Sequence, residues 1–118
     1  MRKSLTLALG ALLVSLCASL AQAHHGWSAY DAEQLLTLEV PLKTVNYRNP
    51  HADVSIEHAG KAWAVILAPI SRLQARGLPE GDLTVGKSVT IVGYPRKDGS
   101  AEIRAERIIV DGRTIELR

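Results

Sequence analysis

Apolar residues recur at every second position over most of the chain, and this alternation constrains the fold more than any other feature of the sequence. The first run consists of Leu36, Leu38, Val40 and Leu42. Successive side chains of a strand point to opposite faces, so this run predicts a half-buried β-strand. The next apolar residue, Val45, is out of phase with the run, so we predict a bulge or bend near residues 43–44.

Further runs of the same period are separated by residues that favour turns. They predict strands around Val54 and Ile56, over residues 61–68, from Val89 to about residue 95, and over residues 103–110. Residues 70–76 have helical spacing instead, and Gly77 behind them is typical of a helix end.

Three dipeptides mark the predicted hairpins. Ala59-Gly60 closes the first, Asp98-Gly99 is predicted to form a two-residue turn, and Asp111-Gly112 is predicted to fold residues 113–117 back on the preceding strand. The predicted order is therefore three strands, one short helix, and two or three further strands.

This order predicts an all-β fold with one short helix, namely a small five- to six-stranded OB-like barrel over residues 35–118. Residues 24–34 form a separate N-terminal segment ahead of it. The predicted core consists of Leu38, Val54, Ile56, Val65, Val89, Ile91 and Ile103. A domain of this size without disulfides depends on such a core for its stability.

Residues 1–23 have the pattern of a secretory signal peptide. Arg2 and Lys3 precede an apolar run of about a dozen residues, and Ala21-Gln22-Ala23 fits the small-residue cleavage site. The run is shorter than the roughly 20 residues of a membrane span. Leu16 stands before Cys17 where a lipoprotein box needs a small residue. We therefore predict cleavage after Ala23, a periplasmic location and no membrane span after cleavage.

Cleavage changes the charge and the sulfur content of the chain. Removing Arg2 and Lys3 from 14 basic residues leaves 12, against 12 acidic residues, so the mature chain has no net charge. A neutral chain without a basic stripe argues against a nucleic-acid partner, and we expect its five aromatic residues to pack in the core or at its edges. The only cysteine and the only methionine are lost with residues 1–23, so no disulfide and no soft sulfur ligand remain.

All four histidines stay in the mature chain, and cleavage would make His24 its first residue. The α-amine and imidazole of His24, with one further imidazole, make a three-nitrogen set that favours Cu(II). We predict a metal site formed by His24, His25 and His51, in which His25 can replace either ring. His51, in the turn after Asn49-Pro50, is a better third ligand than His58, which ends a strand. A polar chain end, with His51 hydrogen-bonded inside its turn, is the alternative.

Two classes of function follow, and neither is enzymatic. The chain contains no nucleophile elbow, no phosphate-binding glycine loop and no recognisable pair of catalytic carboxylates, so we predict no catalytic residues. The first class is an exported binding or interaction module with an unknown periplasmic partner or small ligand. The alternative is a periplasmic Cu(II)-binding protein, with copper as its only candidate cofactor.

Three stretches of the sequence also carry a family resemblance: AHHGWSAYD, VNYRNPHADVSIE and VGKSVTIVGYPRKDG. With His-His after the signal peptide and Asn-Pro-His after the first strand, the chain resembles a family of small exported bacterial proteins classified as a domain of unknown function. The resemblance covers nearly all of the mature chain. It implies export and a small β-barrel, and it implies no activity.

Overall fold

Seven strands and one short α-helix make up the domain, in a computed structural model that describes residues 26–118. The strands are β1 (Leu36–Pro41), β2 (Thr44–Asn46), β3 (Asp53–His58), β4 (Lys61–Ile66), β5 (Ser88–Pro95), β6 (Glu102–Val110) and β7 (Arg113–Glu116). Helix α1 (Ile70–Ala75) lies between β4 and β5, and Trp27–Ala29 and Glu80–Asp82 are 3-10 turns. The predicted all-β fold with one short helix is confirmed. The predicted signal peptide, His24 and His25 lie outside the described residues.

The strands form one sheet in the order β1-β5-β6-β4-β3-β2, with β7 paired to the second half of β6. Strands β4 and β6 are parallel, and the other pairs are antiparallel. The two ends of this order, β1 and β2, are consecutive in the chain, so the sheet curls into a half-barrel. This is the OB-like architecture predicted from the sequence. No helix within residues 26–118 is long and apolar enough to span a membrane.

The predicted bend near residues 43–44 is the point where the chain changes its neighbour. Strand β1 pairs with β5, whereas β2 pairs with β3. Between them the Leu42 N–H donates to the Lys87 carbonyl, and the Lys43 N–H donates to the Ser55 carbonyl, each at 2.9 Å. The shift in apolar phase thus follows from the switch between two partner strands.

The inward side chains of the strands form the core, as predicted for six of the seven residues. Val54, Ile56, Val65, Val89, Ile91 and Ile103 are all at most 2% exposed. Leu38 is an exception, because it is only half-buried and packs against the core from its edge. Strand β1 stands at one end of the strand order, so a single neighbour flanks it.

Two of the three predicted hairpin turns are confirmed. Ala59-Gly60 and Asp111-Gly112 connect their strands directly, with positive φ at all four residues, as a two-residue turn of this kind requires. Helix α1 ends at Ala75 with Arg76 as its C-cap, and Gly77 follows with positive φ, as the sequence predicts.

The predicted two-residue turn at Asp98-Gly99 is wrong, because the connection is longer. Strand β5 ends at Pro95 and β6 begins at Glu102. The Asp98 carboxylate instead accepts hydrogen bonds from the Ser100 N–H at 2.9 Å and the Ser100 hydroxyl at 2.6 Å. These local side-chain bonds favour a wider loop over continued strand pairing.

Candidate functional site

Residues 26–31, which directly follow His24 and His25, are bound to the barrel, and we call them the N-terminal strap. The Asp31 N–H donates to the Pro95 carbonyl at 2.8 Å, and the Lys97 N–H donates to the Ala29 carbonyl at 3.0 Å. Tyr30 forms an isolated antiparallel bridge with Arg96 and is 6% exposed. The strap is therefore fixed to the end of β5.

Trp27 holds the beginning of the strap through its ring. The guanidinium carbon of Arg118 lies 4.5 Å from the ring centroid, and that of Arg104 lies 4.9 Å away. Tyr94 meets the same ring edge-on, with centroids 6.4 Å apart. A cation over an indole ring contributes about 0.5–1 kcal/mol at exposed sites and about 2 kcal/mol when desolvated. Trp27 thus joins the strap to both β6 and the C-terminal residue.

Tyr30 holds the other end of the strap through its hydroxyl. It donates to Oε2 of Glu102 at 2.6 Å, and Nη1 of Arg96 donates to the same oxygen at 3.2 Å. Burial raises the pKa of the Tyr30 phenol, and the hydrogen bond to Glu102 raises it further. The phenol is therefore a neutral donor over the physiological pH range.

His51, the predicted third metal ligand, lies between the Asn49-Pro50 turn and β3. The Ala52 N–H donates to the Ala68 carbonyl at 2.8 Å, so the ladder between β3 and β4 continues up to this residue. Because Ala52 and Val54 point into the core, His51 is on the outer face of the sheet, together with Asp53.

The imidazole of His51 is half-buried, and its Nδ1 atom is fully buried. No hydrogen bond from residues 26–118 reaches this nitrogen. A buried polar atom without a partner costs about 1–3 kcal/mol. The alternative of a histidine hydrogen-bonded through Nδ1 within its own turn therefore finds no support in this part of the chain.

His58 is on the opposite face of β3 and at its other end, as the seven-residue spacing predicts. Its ring lies 5.9 Å from the ring of Trp63, and its carbonyl accepts the indole N–H at 3.0 Å. The structure does not bring His58 and His51 together, so one ion cannot bind both.

His51 and the strap lie on the same outer face of the sheet, two strands apart. The guanidinium of Arg104 lies over the Trp27 ring. Arg104 is in register with Ile66, and Ile66 is in register with Asp53. Strand spacings of about 4.8 Å and residue rises of about 3.3 Å place the Cα atoms of Arg104 and His51 about 12 Å apart. Three residues of extended chain span about 10 Å, and His24 precedes Trp27 by three residues.

Two further observations concern where a binding site could lie on the described part of the chain. Among residues 26–118 no group of three or more His, Cys, Asp or Glu side chains could hold a metal ion. An open groove of about 260 Å³ lies elsewhere, beside Glu39, Thr90, Ile109 and Asp111, and contains none of the predicted ligands.

The arginines that hold Trp27 were not foreseen from the sequence. Arg104 alternates with the buried residues Ile103 and Ala105, which indicates only that it faces outward. Arg118 is the last residue of the chain, and no local pattern relates it to Trp27. Their roles emerge only when β6 and the end of β7 lie side by side.

A family model matches residues 11–104 of the chain, and its description is "Family of unknown function (DUF6152)". The chain belongs to this family, which confirms the resemblance to a domain of unknown function. A search of curated proteins finds no match to the chain. The family description names no activity, so a function has to be argued from the residues of the strap and its surroundings.

Proposed function

We propose that this member of the family is an exported, non-enzymatic binding module that presents its mature N-terminus at one place on a small β-barrel. One observation carries the proposal, namely the docking of the strap on the barrel through Trp27 and Tyr30. Export is its premise, and it is supported by the positive residues, the apolar run and the Ala21-Gln22-Ala23 pattern of residues 1–23.

Anchoring a chain end matters because a binding group on a free end loses conformational freedom when its ligand binds. Only His24 and His25 stand between the predicted cleavage site and the first residue of the strap. Docking of the strap therefore fixes the point on the barrel from which the preceding residues continue. Such preorganisation is what a binding site at a new N-terminus requires.

The non-enzymatic reading rests on the residues that could transfer protons. His51 and His58 lie on opposite faces of β3, and His58 packs on Trp63. The sequence also has none of the motifs that place a nucleophile or cradle a phosphate. These features support a role in binding.

The test uses the full chain, expressed in a bacterium and purified from the periplasm. We expect an intact mass that corresponds to a chain beginning at His24. A different first residue, a lipid on Cys17 or retention in the cytoplasm would contradict export.

The same purified protein tests the anchoring by amide hydrogen exchange measured with NMR. The Asp31 and Lys97 amides, which hold the strap, should be protected and should exchange at least about tenfold faster in Trp27→Ala, since the variant loses the ring contacts. Amides between β3 and β4 serve as the internal control and should not change. Unprotected Asp31 and Lys97 amides in the unaltered protein would overturn the proposal.

A further inference from the structure

We propose that the free edge of β1 is an interface between two copies of this chain, which join by antiparallel pairing of β1 with its own copy. The edge lies on the side of β1 that faces away from β5. The inference goes beyond the proposed function, since it involves neither export nor the docking of the strap.

The first support is the backbone pairing of β1. Within residues 26–118, β5 is the only strand that pairs with it. The Leu42 N–H donates to the Lys87 carbonyl on the β5 side. Because the backbone groups of successive residues alternate between the two edges of a strand, Thr37 and Glu39 direct theirs away from β5. Pro41 has the same orientation, and a proline without an N–H is typical of such a free edge.

The second support is a contrast with β7, which also has a single neighbouring strand. Arg72 of helix α1 donates to the Leu117 carbonyl at 2.9 Å. Arg76, which follows the helix, donates to the Glu116 carbonyl at 2.5 Å. No side chain of residues 26–118 donates in this way to a backbone carbonyl of β1. An uncovered strand edge is a template for pairing with another chain.

The third support is the apolar surface along the same edge. Leu36, Leu38 and Val40 point towards the core, yet all three are only half-buried. Leu35, directly before β1, is 52% exposed and is one of two exposed large apolar residues in the described part of the chain. A second strand laid along this edge would bury more of these side chains, and burial of apolar surface drives most protein association.

One antiparallel register, with Leu38 on a two-fold axis, matches the hydrogen-bonding groups of this edge. Thr37 of each copy then lies opposite Glu39 of the other, and the two residues exchange both backbone hydrogen bonds. The N–H of Leu35 donates to the carbonyl of Pro41. The missing N–H of Pro41 therefore falls at the end of the pairing, where it interrupts no other bond.

The same register also matches the side chains of the inner face. Leu38 lies opposite its own copy and Leu36 lies opposite Val40, so all three pairs are apolar. Placing Glu39 on the axis would oppose two carboxylates, which is unfavourable. A shift by two residues the other way would place Gln34 opposite Val40. A second copy of the chain thus supplies a matching strand, and the two-fold pairing closes because it uses the free edge of both copies.

Sedimentation equilibrium tests the dimer on protein purified from whole cells, so that the result does not depend on export. Thr37→Pro removes one N–H from the free edge of each copy and leaves the bonds to β5 in place. We expect the dimer to dissociate at least about tenfold more readily in this variant. Thr37→Val is the matched control, since it keeps the N–H and suits a strand, and it should dimerise as the unaltered protein does.

Disulfide trapping tests the register in a Cys17→Ser background, where the introduced cysteine is the only one. With Leu38 on the axis, the two Cα atoms of residue 38 lie about 4.5 Å apart, which a disulfide can span. We therefore expect Leu38→Cys to form a covalent dimer on mild oxidation. Val40→Cys is the matched control on the same face, because its two copies lie about 14 Å apart and cannot be bridged.

Three results would overturn the inference. A protein that stays monomeric at every concentration would show that the edge has no such partner. A dimer that Thr37→Pro does not weaken would place the interface elsewhere. Covalent dimers that form as readily from Val40→Cys as from Leu38→Cys would contradict the register. None of these results would affect the proposed binding module, whose test is the protection of the strap amides.

Discussion

Gly93 lies where the pairing of β5 with β6 shifts register, and it shows how little space two strands leave at a bulge. A Cβ atom at this position would overlap the Arg104 carbonyl oxygen and lie 2.9 Å from both the Cα of Ala105 and Cγ2 of Ile103. The first two neighbours are backbone atoms, so a side chain could be accommodated only if a strand moved. Next to this bulge, Arg104 faces outward, and its guanidinium lies over the Trp27 ring.

We therefore expect Gly93→Ala to destabilise the fold by about 3 kcal/mol, at the upper end of the usual cost of overpacking. Chemical denaturation measures this change. Gly81→Ala is the control, because a Cβ there would meet nothing within 4 Å, and it should change stability by less than about 0.5 kcal/mol. A Gly93→Ala variant as stable as the control would show that the bulge is looser than the structure indicates.

At the scale of elements, the strap behaves as a separate unit laid on the sheet, held at one end by Trp27 and at the other by Tyr30. The predicted strands were recognisable because their residues alternate. The apolar residues of the strap do not alternate. From the sequence we expect its two aromatic residues only to pack in the core or at an edge. Its position depends on partners from β5, β6 and the C-terminal residue.

The raised pKa of Tyr30 gives the strap a pH dependence of known sign. A phenol whose pKa is higher in the folded state than its ordinary value near 10 contributes its full stability below about pH 10 and loses it as pH rises through the folded-state pKa. The charged groups that face it are Glu102, Arg96 and Arg104. We expect the strap to detach above about pH 10.

Fluorescence of Trp27 in a Trp63→Phe background follows this detachment. Tyr30→Phe should cost about 1 kcal/mol at neutral pH, through the lost bond to Glu102, and should abolish the alkaline transition. Tyr47→Phe is the control, because burial also raises the pKa of Tyr47 but its hydroxyl donates to the Leu78 carbonyl, away from the strap. An alkaline transition that persists in Tyr30→Phe would assign it to another group.

At the scale of the whole molecule, one core joins both halves of the chain. Ile56 on β3 and Ile91 on β5 are both at most 1% exposed and belong to the same buried cluster. Helix α1 and strand β7 contribute Leu73 and Ile115 to the same cluster, and Arg72 donates to the Leu117 carbonyl at 2.9 Å. Unfolding should therefore be a single transition.

We expect Ile56→Ala and Ile91→Ala each to cost about 2–5 kcal/mol, as truncation of a buried side chain does. Leu38→Ala should cost less than either, because Leu38 is only half-buried. Val85→Ala is the control and should be close to neutral, since Val85 is 67% exposed. Denaturation curves measure all four, and equal losses at Leu38 and Ile56 would contradict the observed position of β1 at the end of the strand order.

The sequence by itself determined the features that depend on neighbouring residues. Alternating apolar residues determine which face of each strand is buried, so most of the core and the opposite orientations of His51 and His58 could be predicted. Positive φ at Ala59-Gly60 and Asp111-Gly112 follows from what a two-residue turn demands. The incorrect prediction of a two-residue turn at Asp98-Gly99 shows the limit of such local patterns. There the hydrogen bonds of Ser100 to the Asp98 carboxylate favour a longer loop.

Only the tertiary structure decided which distant residues meet. The parallel pairing of β4 with β6 brings Arg104 to the same face as His51, and the return of β7 along β6 brings Arg118 over Trp27. These contacts join residues far apart in the chain, and periodicity reports the face of a residue without naming its neighbour across the sheet. The sequence shows that residue 51 is a histidine, whereas the burial of its Nδ1 atom, which no hydrogen bond from residues 26–118 reaches, depends on how the sheet curls.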